Sequence, residues 1–183
     1  PAWDRVEDWL RSWAGLEDVL ARETLLAGAA WRRALELERT GLHDDAEKEF
    51  AELLDRAEGR PWLLYRLARA LAEEGEAPLA ARAAARLARG QPDPPRWLLA
   101  LAYPTEYLDL ASEAANDNGF SPLLLLALVR QESFFDPDAV SSAGAAGLTQ
   151  VIPATAQEIA GRLGEDSFRN SDRSLARRNS VPS

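Results

Sequence analysis

The chain has no cysteine, no methionine and a single histidine in 183 residues. Without cysteine there is neither a disulfide framework nor a thiol nucleophile, and that absence fits either side of a membrane. The lone His43 stands beside Asp44 and Asp45, which is not a metal set, because adjacent side chains on a helix do not converge. A cap on the following helix from Asp44 or Asp45 is the expectation there, and neither metal nor cofactor is expected. Positive charge is also short: 21 Lys and Arg against 30 Asp and Glu give a net charge of −9 and no basic stripe, which argues against nucleic acid as a partner. The longest apolar runs, such as Leu123 to Val129, fall far short of the roughly 20 residues of a membrane helix, so no transmembrane segment is expected. No signal peptide is visible. A chain that opens at Pro1 without any methionine is expected to be part of a longer product, so that last absence says little.

What is present is 46% hydrophobic and 28% charged residues, the composition of an ordinary folded protein. Alanine, leucine, arginine and glutamate dominate and favour helix throughout, so the fold class is all-α. Trp3, Val6, Trp9, Leu10 and Trp13 share one face of a first helix. Such an aromatic stripe reads as core, with a sugar platform as the alternative. Gly15 breaks the helix, and a second apolar-periodic segment follows through Leu26.

From Trp31 a repeat begins. Trp31, Ala34, Leu37, Gly41, Ala46 and Leu53 recur 34 residues later as Tyr65, Ala68, Leu71, Gly75, Ala80 and Leu87. That is the tetratricopeptide period. Small Ala34 and Ala46 let two helices approach, Gly41 turns the chain, and Phe50 fills the space behind; Ala84 stands at the matching place in the second copy. Residues 1–95 are therefore expected to form a TPR-like α-solenoid, whose concave face either holds glycan or a protein partner or is simply a spacer. The glutamates around Glu47–Glu52 and Glu73–Glu76 read as solvated helix faces. Gln91-Pro92-Asp93-Pro94-Pro95 is the clearest linker.

A second region is expected over residues 96–164. Arg96 to Ala102 forms a short apolar helix, and Tyr103-Pro104 opens the next, which Asn116-Asp117-Asn118-Gly119 ends. Ser121 then caps a helix with Pro122 in its first turn. Leu123 to Val129 is apolar on every side, which predicts burial all round. At its end stands Glu132, with Leu128 and Val129 one turn back and Phe135 just ahead. The carbonyl end of a helix and loss of water both disfavour a charged carboxylate there, and a carboxylic acid that keeps its proton is what protonating a leaving oxygen requires. The small-residue loop Ser141–Gly147 brings backbone close to a cleft; it lacks the lysine and the preceding strand of a phosphate cradle. Gln150 follows, able to donate to and accept from a sugar amide or hydroxyl. Asp136 and Asp138 are the candidates for a second carboxylate, and neither has a hydrophobic setting.

Glu132-Ser133, Ser141, Gly144-Ala145, Gly147-Leu148, Gln150, Pro153 and Thr155-Ala156 together resemble the signature of the soluble lytic transglycosylases. The resemblance covers about 50 residues, from Tyr103-Pro104 to Gln157-Glu158-Ile159, with methionine usual in the family where Thr149 and Ile152 stand. It implies a lysozyme-like domain that cuts peptidoglycan glycan strands between N-acetylmuramic acid and N-acetylglucosamine, outside the cytoplasm in the bacterial envelope. It assigns Glu132 as acid and then base, Ser141 to the acetamido region of the reacting sugar, and Gln150 to sugar binding. One glutamate suffices, because the muramic C6 hydroxyl closes a 1,6-anhydro ring in place of water. Helical superstructures precede the catalytic domain in some members.

The family's domain continues further, through a Tyr-Asn-Ala-Gly-type segment that has no counterpart here. Residues 165–183 instead carry Arg169, Arg173, Arg177 and Arg178 with hardly any apolar periodicity, and read as a disordered or aberrant tail. Two expectations follow: a truncated portion of an active transglycosylase (or of a hydrolytic muramidase), or a helical-repeat interaction module carrying an inactive catalytic remnant.

Overall fold

The computed structural model describes residues 2–16 and 26–164. Most of the segment expected to be helical after Gly15, and the 165–183 tail, lie outside the described residues. Contacts divide the chain into two compact units, Pro1–Pro104 and Thr105–Ser183.

In the first unit the described helices are α1 (Ala2–Trp13), α2 (Ala29–Arg39), α3 (His43–Arg56), α4 (Pro61–Glu74), α5 (Ala77–Ala88) and α6 (Arg96–Ala102). The stripe on α1 divides by depth. Val6 and Leu10 are fully buried, whereas Trp3, Trp9 and Trp13 stay half-buried. Trp3 lies edge-on to both Tyr65 and Trp97, at 5.4 and 4.0 Å, and Trp9 Nε1 donates to the Pro92 carbonyl at 2.9 Å. The stripe therefore anchors α1 to α4 and to the α5–α6 connection, as core packing requires.

Helices α2–α3 and α4–α5 form two hairpins that turn at Gly41 and Gly75, with φ of +80° and +87°. Glycine stands there because an L side chain resists that left-handed backbone. Ala34, Ala46, Ala68 and Ala80 are fully buried, so the paired helices approach closely. Phe50 is buried edge-on to Trp31 at 5.4 Å. Leu67, Leu71 and Leu87 complete the core, each contributing about 1.5–3 kcal/mol by leaving water. Arg82–Glu47 at 2.7 Å and Arg86–Asp55 at 2.8 Å join α5 to α3, and as largely solvated pairs add at most about 1 kcal/mol each.

Two expectations are corrected in this unit. Helix α3 begins at His43 itself, and its cap position is Leu42, whose side chain makes no capping bond. Asp44 and Asp45 therefore fall inside the first turn, where an acid suits the helix dipole without capping; Asp45 pairs with Lys48 at 2.9 Å and the His43 ring bonds to Glu38. Helix α6, expected to open the second region at Arg96, packs instead on α5 with Leu98 and Ala102 fully buried. The contacts place the division after Pro104.

The second unit contains α7 (Leu108–Asn118), α8 (Pro122–Ser133) and α9 (Pro153–Leu163). Helix α7 starts later than the Tyr103-Pro104 signal suggested, with Tyr107 at its cap position, and ends at left-handed Gly119. Ser121 and Pro122 open α8 as expected, although the serine side chain makes no capping bond. Ala111, Leu126, Val129 and Phe135 form a small core, with Tyr107, Leu108, Leu125 and Leu148 packed against it.

Burial of α8 on every side does not hold among the described residues. Its buried positions are Leu126, Val129 and Ser133, one stripe at helical spacing facing α7. Leu123, Leu124 and Leu128 are 67, 64 and 45% exposed. The cause is that α7 covers only one face of the helix. Among the described residues there is no strand beyond isolated bridges, and no helix is long and apolar enough to cross a membrane.

Candidate active site

Glu132 is the last residue but one of α8. The helix stops because Phe134 and Phe135 both turn left-handed, with φ of +53° and +68°. Bulky residues seldom hold that backbone, and two in succession persist only where packing over-determines them. Here Phe135 is buried and stacks on Tyr107, centroids 6.4 Å apart and planes within 3°. The Arg130 guanidinium covers the Phe134 ring at 4.9 Å, and Ser133 Oγ, also buried, donates to the Val129 carbonyl at 3.1 Å. The turn after Glu132 is thus clamped from several sides.

Glu132 itself is exposed. The loss of water expected for it is not supplied by the described residues, because Val129 turns into the core and Leu128 remains 45% exposed. Spacing explains this. Leu124, Leu128 and Glu132 recur every four residues and share an exposed face of α8 beside its buried stripe. Among the described residues the Glu132 carboxylate has no hydrogen bond or ion pair, so both oxygens are open to a ligand.

Ser141 and Gln150 are brought together in one loop between α8 and α9. Asp136 Oδ1 accepts from the Asp138 N–H at 2.9 Å and starts it. Isolated bridges then join Ala146 to Val140 and to Val151. Ser141 N–H donates to the Ala145 carbonyl at 2.9 Å, and Ser141 Oγ accepts from the Ala145 N–H at 3.1 Å, which leaves the hydroxyl proton to donate elsewhere. Gln150 Nε2 donates to the carbonyls of Ala139 and Gly147 at 2.9 and 3.0 Å. Its amide nitrogen therefore braces the loop, and only Oε1 is left for a sugar. Gly147 holds φ +74°, and a Cβ there would lie 3.7 Å from the Pro137 carbonyl oxygen. No hydrogen bond joins Glu132 to Ser141 or Gln150 among the described residues.

Asp138 is exposed and Asp136 half-buried, and both serve the turn. A carboxyl passed over in the sequence is Glu106. Partial loss of water holds it above the ordinary carboxylate range although its side chain reaches the surface. Next to it, Tyr107 is raised chiefly by its own burial and further by the negative charges of Glu106, Asp136 and Asp138. No sequence signal marks Glu106, which sits in a polar turn before α7. Among the described residues no three His, Asp or Glu side chains gather as a metal site.

Residues 109–177 match the family model described as Transglycosylase SLT domain. Membrane-bound lytic murein transglycosylase C of Actinobacillus pleuropneumoniae serotype 5b is 45% identical over 62 residues, 33% of this chain and 17% of the relative. Membrane-bound lytic murein transglycosylase F of Alcanivorax borkumensis is 43% identical over 53 residues, 29% of this chain and 11% of the relative. Among solved structures, the lytic transglycosylase Slt of Pseudomonas aeruginosa superposes with a TM-score of 0.67 at 23% identity, over 86% of this chain and 24% of its own. The 70 kDa soluble lytic transglycosylase of Escherichia coli does so with a TM-score of 0.58 at 24% identity, over 82% of this chain and 23% of its own. The all-helical fold is thus that of these lytic transglycosylases. The chain spans under a fifth of the curated relatives' length, and the part that carries Glu132, Ser141 and Gln150 matches a transglycosylase SLT domain.

Proposed function

We propose that this chain is part of a peptidoglycan lytic transglycosylase of the bacterial envelope, with Glu132 as its acid and base. The observation that carries the reading is the match of residues 109–177 to the transglycosylase SLT domain, together with an unpaired carboxylate on a clamped helix end. The relatives' names supply the polymer, murein, and the reaction class. Glu132 protonates the glycosidic oxygen between N-acetylmuramic acid and N-acetylglucosamine, and the bond to the anomeric carbon breaks as the substrate's N-acetyl group assists. The carboxylate so formed then takes the proton of the muramic C6 hydroxyl, whose oxygen closes the 1,6-anhydro ring. One proton leaves Glu132 and one returns, so no second carboxylate is needed. Ser141 donates its free hydroxyl proton to the acetamido region, and Gln150 Oε1 accepts from a sugar hydroxyl. The two hairpins of the first unit form a TPR-like scaffold, with a concave face for glycan or a protein partner.

A second reading is favoured by one observation. Glu132 is exposed and shares its helix face with uncovered Leu124 and Leu128, the state of an interaction module whose catalytic remnant is inactive. Digestion of purified peptidoglycan separates the two. Anhydro-muropeptides in the mass spectrum, reduced about 10²–10⁴-fold by Glu132→Gln, support the enzyme. Reducing-end products point to a muramidase. No product from this chain, with activity once a longer chain is supplied, supports a truncated enzyme; no product from either supports the module.

A further inference from the structure

We propose that Tyr107 is a positioning residue for Glu132, acting through the backbone turn that ends α8. The proposal rests on the reading of Glu132 as acid and base. Glu132 is exposed, and among the described residues no side chain holds its carboxylate. Where that carboxylate stands is therefore set by where the backbone carries it, at the last residue but one of α8. The backbone beyond it is strained: Phe134 and Phe135 follow at φ +53° and +68°, a region that bulky L residues resist. Such strain persists only where neighbours hold it in place.

The two phenylalanines are held differently. Phe134 is half-buried, and its ring lies under Arg130, one turn back on the same helix. A contact within α8 moves with α8 and cannot fix where the chain leaves it. Phe135 is buried and stacks on Tyr107, at the start of α7, with centroids 6.4 Å apart and planes within 3°, inside the range of offset-stacked rings. Tyr107 is itself anchored: it packs against the core that Phe135 shares with Ala111, Leu126 and Val129, and its carbonyl accepts from the Ala111 N–H at 2.9 Å. The stack thus ties the exit of α8 to a second helix. Without it, Phe134 and Phe135 relax to negative φ. The last turn of α8, closed by the Phe134 N–H on the Arg130 carbonyl at 3.1 Å, then loosens with Glu132 in it. Ser141 and Gln150 stay in place, since their bonds run to Ala145, Ala139 and Gly147 in their own loop. Tyr107 therefore acts on proton transfer and not on sugar binding.

The test compares Tyr107→Leu, which keeps an apolar filler but loses the stack, with Tyr107→Phe, which keeps the ring. Cleavage of a soluble tetrasaccharide of alternating N-acetylglucosamine and N-acetylmuramic acid by the full chain gives kcat and KM. Tyr107→Leu should lower kcat on the order of 10–100-fold and leave KM within about twofold, whereas Tyr107→Phe should retain most of kcat. Adding Phe134→Gly, which takes a positive φ without strain, should recover at least about fivefold of the loss. A merely structural defect would deepen instead. Nuclear magnetic resonance supplies a readout that needs no activity. The strong intraresidue amide–Hα NOE of a positive φ should weaken at Phe134 and Phe135 in Tyr107→Leu, and the Phe134 amide should exchange faster. Circular dichroism checks that the variant is folded at the assay temperature; if it is not, Tyr107→Met takes its place. Unaltered kcat, a KM that rises in step, no recovery with Phe134→Gly, or unaltered NOEs would overturn the proposal. If neither this chain nor a longer one cleaves, the reading of Glu132 fails, while the NOEs still decide whether Tyr107 holds the turn.

Discussion

Glu106 and Glu132 are carboxyls of the same unit in different surroundings. Glu132 stands in water without a partner, and Glu106 loses part of its hydration at the foot of α7. Because burial raises the folded-state value of Glu106, its protonated form is the one the fold favours. Its contribution is fully present below the ordinary carboxylate range and is lost as pH rises through the raised folded value. At neutral pH the ionised side chain is therefore a burden on the folded state, because part of its hydration is lost. Glu106→Gln should raise the melting temperature at pH 7, and the gain should shrink towards about pH 4. Parallel thermal melts of both proteins check this, and a variant less stable at pH 7 would refute it. Glu106 was not legible in the sequence, since partial dehydration of a turn residue depends on what folds over it.

At the scale of elements, glycine gave the most readable signals. Gly41, Gly75 and Gly119 each end a helix with the left-handed backbone that their position in the pattern implied. The stop after α8 was harder to foresee, because two phenylalanines occupy backbone that local preference assigns to glycine or asparagine, and only their packing on Tyr107 and Arg130 holds them there. The role of Gln150 was half legible: a glutamine beside a glycine loop suggested sugar binding, but its own φ is +48° and its amide nitrogen is spent on the loop. Gln150→Ala removes two donors, and the Ala139 carbonyl keeps only the Gly147 N–H. A loss of about 1–2 kcal/mol in unfolding free energy is expected, with faster amide exchange at Gly147. Unchanged stability would mean that the side chain acts on ligand alone.

Across the whole molecule, the core of the first unit was the more readable: Trp31, Ala34, Ala46 and Leu53 are buried, as are Tyr65, Ala68, Ala80 and Leu87, although Leu37, unlike Leu71, is only half-buried. The second unit was less so, because an all-apolar run does not say which of its faces a neighbour covers. Leu126 and Val129 meet α7, whereas Leu123, Leu124 and Leu128 remain in water beside Glu132. Phe120, Val140, Ile152 and Ile159 in the same unit are also more than a third exposed. Exposed leucines on one helix face form the kind of patch that a soluble monomer rarely leaves open. This 183-residue chain should therefore bind an environment-sensitive hydrophobic dye or self-associate at micromolar concentration. The double change Leu124→Gln with Leu128→Gln should reduce both without lowering stability by more than about 0.5 kcal/mol, since neither side chain is in the core. Dye fluorescence and sedimentation read the outcome. A dye-silent monomer would mean that the face is covered within the chain itself; a large loss of stability in the variant would mean that these leucines are core after all.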